Sequence, residues 1–175
     1  MAALLEIAQI GQEVLTTPAQ PVIEFDSPDL ERLIDDMLLT VANSNGVGLA
    51  APQVFQSTRV IIVSSHPNAR YPSAPNMLPT VMINPIILTC STEKELGWEG
   101  CLSVPGRRGQ VERHKSLKLE YCDKTGTKLI EEFEGFVARI IQHEIDHLDG
   151  ISFLERVSSS SAIVSEKEYQ KICDS

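Results

Sequence analysis

The sequence predicts an α+β fold, and three observations carry that expectation. Runs rich in β-branched and apolar residues cluster between residues 59 and 133. One amphipathic helix pattern precedes them and a second, more apolar one follows over residues 135–150. The strands are thus segregated before the last long helix rather than alternating with helices as in a doubly wound sheet. With 175 residues, no internal repeat and no linker-like stretch, a single domain over 1–175 is expected, long enough to bury a substantial core.

Taken in order, Ser27 and Pro28 followed by Leu30, Leu33, Ile34, Met37, Leu38 and Val41 predict the first helix. Serine serves as N-cap, proline suits the first turn, and the apolar positions keep a helical period. The pattern ends near Asn43, Ser44, Asn45 and Gly46, and Gly46-Val47-Gly48-Leu49-Ala50-Ala51-Pro52-Gln53 follows. Residues 59–64, with Val60, Ile61, Ile62 and Val63, read as a buried strand. Residues 66–79 hold four of the ten prolines and read as an exposed loop. A second strand region over 81–90 is expected to break at Pro85. Residues 117–121 alternate apolar and polar side chains and 128–133 are partly apolar; Asp123-Lys124-Thr125-Gly126 between them predicts a β-hairpin. Gly135 opens a helix through Phe136, Val137, Ile140, Ile141, Ile145 and Leu148 that ends at Gly150. The serine tract 158–161 is expected to cap a last short helix reaching about Lys171.

Composition narrows the function classes. A net charge of −9 disfavours a nucleic-acid binder, whose affinity would come from Lys and Arg on phosphates, and disfavours an anionic membrane surface. The first ten residues carry no basic cluster and no long apolar run, and no stretch approaches the roughly 20 apolar residues of a membrane span. A cytoplasmic protein with reduced thiols is expected. Cys90, Cys101, Cys122 and Cys173 have no metal-finger or redox spacing, which leaves each to be a ligand or a small buried residue. The buried-residue reading is taken for Cys90, Cys122 and Cys173.

Chemistry concentrates in Gln142-His143-Glu144-Ile145-Asp146-His147. On a helix the two histidines fall on one face about one turn apart, can hold one metal ion, and leave Glu144 to act on a water that the ion activates. Burying such a trio without a partner is costly, and a metal supplies the partner. A metzincin arrangement needs a histidine where Phe153 stands. A thermolysin-like endopeptidase would take Glu166 or Glu168 as third ligand. Cys101, preceded by glycine and followed closely by Pro105, is the remaining candidate and points to irregular backbone rather than mid-strand. A non-catalytic structural metal module, with His114 as spare ligand, is the alternative from another class.

Three segments in order, Gly46-Val47-Gly48-Leu49-Ala50-Ala51-Pro52-Gln53, Glu99-Gly100-Cys101-Leu102-Ser103 and Gln142-His143-Glu144-Ile145-Asp146-His147, resemble the three motifs of peptide deformylases. The resemblance covers nearly the whole chain. It implies a compact domain of mixed or antiparallel β-sheets packed around a central metal-binding helix, and removal of the N-formyl group from the initiator methionine of nascent chains with release of formate. It implies one divalent metal held by Cys101, His143 and His147, Fe²⁺ natively, with Zn²⁺, Ni²⁺ or Co²⁺ able to substitute. Glu144 is then general base and later general acid. The Gln53 amide and the Leu102 backbone N–H stabilise the oxyanion, although Gln53 as a structural amide tying its loop to the sheet is compatible with this.

By the same resemblance Gly46 and Gly48 let the backbone approach a peptide added as a strand. Val47, Phe136 and the aliphatic parts of Glu99 and Arg139 wall a methionine pocket beside Gly100. Arg108 is expected either to contact the substrate backbone or to be a solvated surface residue. Asp146 is expected either to orient a ligand histidine or to form an ordinary salt bridge. The tail 155–175 sets Glu155, Glu166, Glu168 and Asp174 against Arg156, Lys167 and Lys171, which weakens any expectation of ribosome docking. The expected partners are N-formylmethionyl peptides, with no nucleic acid and no membrane, and the expected state is a monomer.

Overall fold

The first helix, α1 (Pro28–Ala42), forms where the sequence places it, in a computed structural model that describes residues 1–175 and, of Ser161, the backbone only. Pro28 takes the first helical position, and Asp29 and Glu31 in the first turn face the positive end of the helix. Ser27 holds the N-cap position in an extended conformation, but its side chain makes no capping hydrogen bond.

A five-stranded antiparallel sheet runs in the order β1 (Gly48–Ala50), β2 (Val60–Val63), β3 (Thr80–Cys90), β6 (Ser116–Cys122) and β7 (Lys128–Glu134). Side chains alternate across such a sheet, and β2 shows the consequence. Val60 and Ile62 pack with Leu49 and Ile83 against Leu30, Ile34, Met37 and Val41 of α1. Ile61 and Val63 pack with Met82, Leu119 and Tyr121 against Ala138, Ile141, Ile145 and Leu148 of α2 (Gly135–Leu148). The sheet is therefore filled on one side by α1 and on the other by α2, which is buried from Ala138 to Leu148.

Pro85 does not break β3. The strand absorbs it in a register shift between Ile83 and Ile86, with Asn84 at φ 52°. The Asn84 side chain pins that turn by accepting from Val22 N at 2.8 Å and donating to Val22 O at 2.8 Å. The β6–β7 hairpin closes as expected, with Asp123 Oδ1 accepting from the backbone N–H of Thr125 and Thr127.

A second, three-stranded antiparallel sheet joins β4 (Lys94–Cys101), β5 (Val104–His114) and β8 (Ile163–Ser165). The serine tract does not supply the N-cap of the last helix. It falls in a short 3-10 turn at Ser160–Ala162, and the last helix, α3 (Glu166–Asp174), begins later with Ser165 Oγ accepting from Glu168 N. Three cysteines also differ from expectation. Cys90 and Cys173, near the ends of β3 and α3, are exposed, and Cys122 is half-buried against the cluster beneath α1; Cys101 is the fully buried one. No helix among the described residues is long and apolar enough to cross a membrane.

Candidate active site

Helix α2 begins at Gly135, which takes φ 63°, and carries His143 and His147 one turn apart with ring centroids 5.1 Å from each other. Cys101 reaches the same point from the end of β4, just after a register shift between Glu99 and Cys101. The irregular backbone expected at Cys101 is thus a bulge at a strand end. One donor atom from each of Cys101, His143 and His147 lies within 4.8 Å of the others, and all three residues are buried. Cys101 Sγ and His147 Nε2 are 3.3 Å apart. His143 Nδ1 donates to Glu99 Oε1 at 2.9 Å, which leaves its Nε2 for an ion.

The electrostatics suit a divalent cation. Burial opposes ionisation of Cys101, but the two imidazoles beside it win and hold its thiol well below the usual range, and the thiolate is the ligating form. Burial likewise opposes a charge on His143, yet its contacts with Cys101 and Glu99 raise its pKa well above the ordinary value. Burial pushes the Glu144 carboxyl up to about 7. Among the described residues, Glu144 Oε2 and His147 Nδ1 are buried side-chain atoms with no hydrogen-bond partner. A thiolate, two imidazoles and an orphaned carboxylate oxygen fit a metal with a nucleophile beside it.

Glu99 does more than line a wall. Its carboxylate accepts from Arg113 Nε at 2.8 Å and Nη2 at 2.9 Å, from Arg139 Nη1 at 2.8 Å and from His143. Asp146 touches neither histidine. It accepts from Arg113 Nη1 at 2.7 Å and from Arg156. The carboxylate that meets a ligand histidine is therefore Glu99 rather than Asp146, which is taken up by Arg113 and Arg156 and keeps the salt-bridge reading.

Gln53 is only 1% exposed. Its Oε1 accepts from Ala50 N at 2.9 Å, while Nε2 donates to Cys101 Sγ at 3.3 Å and Ser103 Oγ at 3.1 Å. The amide thus ties its loop to two strands and also faces the ligand cluster.

One cleft gathers Gln53, Cys101, Leu102, His143 and Glu144 with Gly46, Val47, Gly48, Glu99, Gly100, Arg108, Phe136 and Arg139. His147 sits behind it, buried. Gly48 is needed for Glu144 as much as for any ligand: a Cβ there would lie 2.8 Å from Glu144 Oε1. Arg108 is 1% exposed and ion-paired with Glu166, so it is no solvated surface residue. Asn45, Arg70, Tyr71 and Ile140 also line the cleft and were missed. Ile140 was readable, one helical turn before Glu144. Arg70 and Tyr71 were not, because they come from the 66–79 loop, which folds back so that the Tyr71 ring packs on Phe136 at 4.8 Å. The rival metal ligands are elsewhere: Glu168 pairs with Lys171 and His114 Nδ1 donates to Ser91 O.

The sequence profile of polypeptide deformylases matches residues 4–162. The chain is 52% identical over 169 residues to peptide deformylase 2 of Nostoc sp., covering 97% of this chain and 94% of that one. It is 45% identical to peptide deformylase 1 of Bordetella pertussis over 86% of each chain. Among solved structures, the Met-Ala-Ser-bound class I type b peptide deformylase of Acinetobacter baumannii superposes with a TM-score of 0.88 at 52% identity, over 90% of this chain and all of that one. The Thermotoga maritima peptide deformylase gives 0.81 at 38% identity, over 90% and 99% of the two chains. A cysteine–histidine–histidine cluster beside a buried glutamate, on a chain matched along nearly its full length, makes this protein a member of the polypeptide deformylase family.

Proposed function

We propose that Cys101, His143 and His147 hold the divalent metal with which this hydrolase removes the N-formyl group from N-formylmethionyl nascent chains, and that Glu144, Gln53 and the Leu102 N–H carry the proton and charge work. One observation supports this most: three ionisable donors within 4.8 Å of one another stand beside the unpartnered Glu144 Oε2. Held by these three residues, a divalent ion would supply a water of lowered pKa, about 7, and polarisation of the formyl carbonyl.

Glu144, with its carboxyl pushed up to about 7 by burial, takes the proton of the attacking water. It then gives that proton to the departing methionine nitrogen as the C–N bond breaks and formate leaves. Charge develops on the formyl oxygen as the water adds. The Gln53 Nε2, now shared between Cys101 Sγ and Ser103 Oγ, turns its donor toward that oxygen together with the Leu102 N–H. Glu99 keeps His143 in the tautomer that offers Nε2. Val47, Phe136, Ile140 and the Arg139 stem take the methionine side chain, and the open edge of β1 with Gly46 takes the peptide as an added strand.

Iron(II) is the native ion in this reading, with Zn²⁺, Ni²⁺ or Co²⁺ substituting, since one thiolate and two imidazoles suit several late first-row ions. Residues 1–175 act as one catalytic domain, a cytoplasmic monomer that meets nascent chains, and the near charge balance of residues 155–175 weakens the case for ribosome docking through them. The test is formate release from formyl-Met-Ala-Ser by anaerobically prepared, iron-loaded protein. Absence of formate with the ion confirmed bound would overturn the assignment of these residues.

A further inference from the structure

The C-terminal strand and helix, β8 and α3, lie beyond the 4–162 stretch that the family profile matches, yet they are joined to the cleft. Pairing of Arg108 with Val164 and of Arg107 with Ser165 brings Glu166, the first residue of α3, beside the Arg108 side chain. Arg108 Nε donates to Glu166 Oε2 at 3.0 Å and Nη2 donates to Oε1 at 3.3 Å. The guanidinium is gripped along one edge, and its Nη1 end lies over Gly100, where a Cβ would be 1.5 Å away. Arg108 lines the cleft and Glu166 does not, so the carboxylate holds the arginine from outside the site. Tyr169, 4% exposed, completes the grip. Its ring faces the guanidinium at 5.3 Å, and its hydroxyl donates to Arg70 O at 2.8 Å, fixing the loop residue next to Tyr71. A long arginine left to itself samples many rotamers; held in a carboxylate fork against a ring, it is preorganised for one contact.

We infer that Glu166 and Tyr169 are positioning residues for peptide recognition: they hold Arg108 so that its Nη1 end meets a backbone carbonyl of the substrate beyond the formylmethionine. The inference rests on the deformylase reading of the cleft, but its consequences separate from that reading. Glu166→Gln keeps the side-chain size and removes the charge that grips the fork. In the metal-loaded full chain, KM for formyl-Met-Ala-Ser rises about ten-fold, equivalent to about 1.4 kcal/mol. The loss falls on KM rather than kcat, and it is larger for the tripeptide than for formyl-methionine amide, which ends before the Arg108 contact.

In a double-mutant cycle, Glu166→Gln adds little to Arg108→Gln, because both remove one contact. Calorimetric titration with Met-Ala-Ser, which needs no turnover, shows the same weakening, and Tyr169→Phe gives a smaller change of the same sign with the thermal midpoint kept. Equal losses on short and long substrates, or additive effects of the two substitutions, overturn the inference. A chain that releases no formate but whose Met-Ala-Ser affinity still depends on Glu166 sinks the reaction and leaves the positioning role standing.

Discussion

Gln53 shows how one buried amide can tie a loop to its neighbours and still face the ligand cluster. Its Oε1 satisfies the Ala50 N–H, and both of its outgoing hydrogen bonds end at residues of the 101–103 segment. Replacing it by leucine removes the proposed oxyanion donor and also leaves the Ala50 N–H without its acceptor. Losing one such donor is worth roughly a hundred- to thousand-fold in kcat, and stranding a buried N–H costs about 1–3 kcal/mol of stability. Gln53→Leu is therefore expected to slow formate release by that factor and lower the urea midpoint, while the metal-to-protein ratio stays at the wild-type value. Turnover that survives the substitution removes Gln53 from the mechanism. At this scale the sequence was most legible where site residues are neighbours on one helix, as His143, Glu144 and His147 are. Cys101 needed two further motifs to be recognised. Glu99 is legible only as a pocket wall, because the two guanidinium groups and the imidazole that surround it come from β5 and α2, at distances in the chain that no local pattern records.

The β4–β5 hairpin is the element that local reading missed, and the reason is its charge. Glu99 and Arg113 are polar in sequence, yet they are 3% and 5% exposed because each is the other's partner. Arg113 also holds Asp146 of α2, so a single guanidinium fastens the second sheet to the metal-bearing helix. Its loss would take a charged partner from two buried carboxylates at once, leaving Glu99 with Arg139 and His143 and Asp146 with Arg156. Breaking a buried ion pair from one side costs about 3–5 kcal/mol, so Arg113→Met is expected to destabilise the protein by that amount in urea titration. A loss below about 1 kcal/mol would show that Arg139, His143 and Arg156 hold these carboxylates without it. By contrast, α1, β2, the β6–β7 hairpin and α2 were legible, since apolar period and turn residues are local signals. The bulge at Pro85 was not, because what rescues that strand is Asn84 reaching across to Val22.

At the scale of the whole molecule, the apolar cores decide what the metal is for. One cluster joins the sheet to α2 and another joins it to α1, both are built mostly from Ile, Leu, Val, Met and Ala, and neither contains any of the three ligands. A chain with that much core independent of the site folds without its ion, unlike a structural metal module, whose fold is its metal affinity. The ion still stabilises by mass action, because it binds the folded trio and not the dispersed one. At free metal a thousand times Kd the gain is about 4 kcal/mol, roughly 8–16 °C in thermal midpoint for a chain of this size. Chelation is therefore expected to lower the midpoint by an amount that grows with the free metal of the reference sample, while the far-UV circular dichroism at 25 °C remains that of the folded protein. Collapse of the dichroism on chelation would favour a structural role for the cluster. An unchanged midpoint would mean that Cys101, His143 and His147 do not bind the ion. The expected result, a folded apoprotein with a lower midpoint, is what a catalytic site requires: an ion held tightly enough to act, on a scaffold that stands without it.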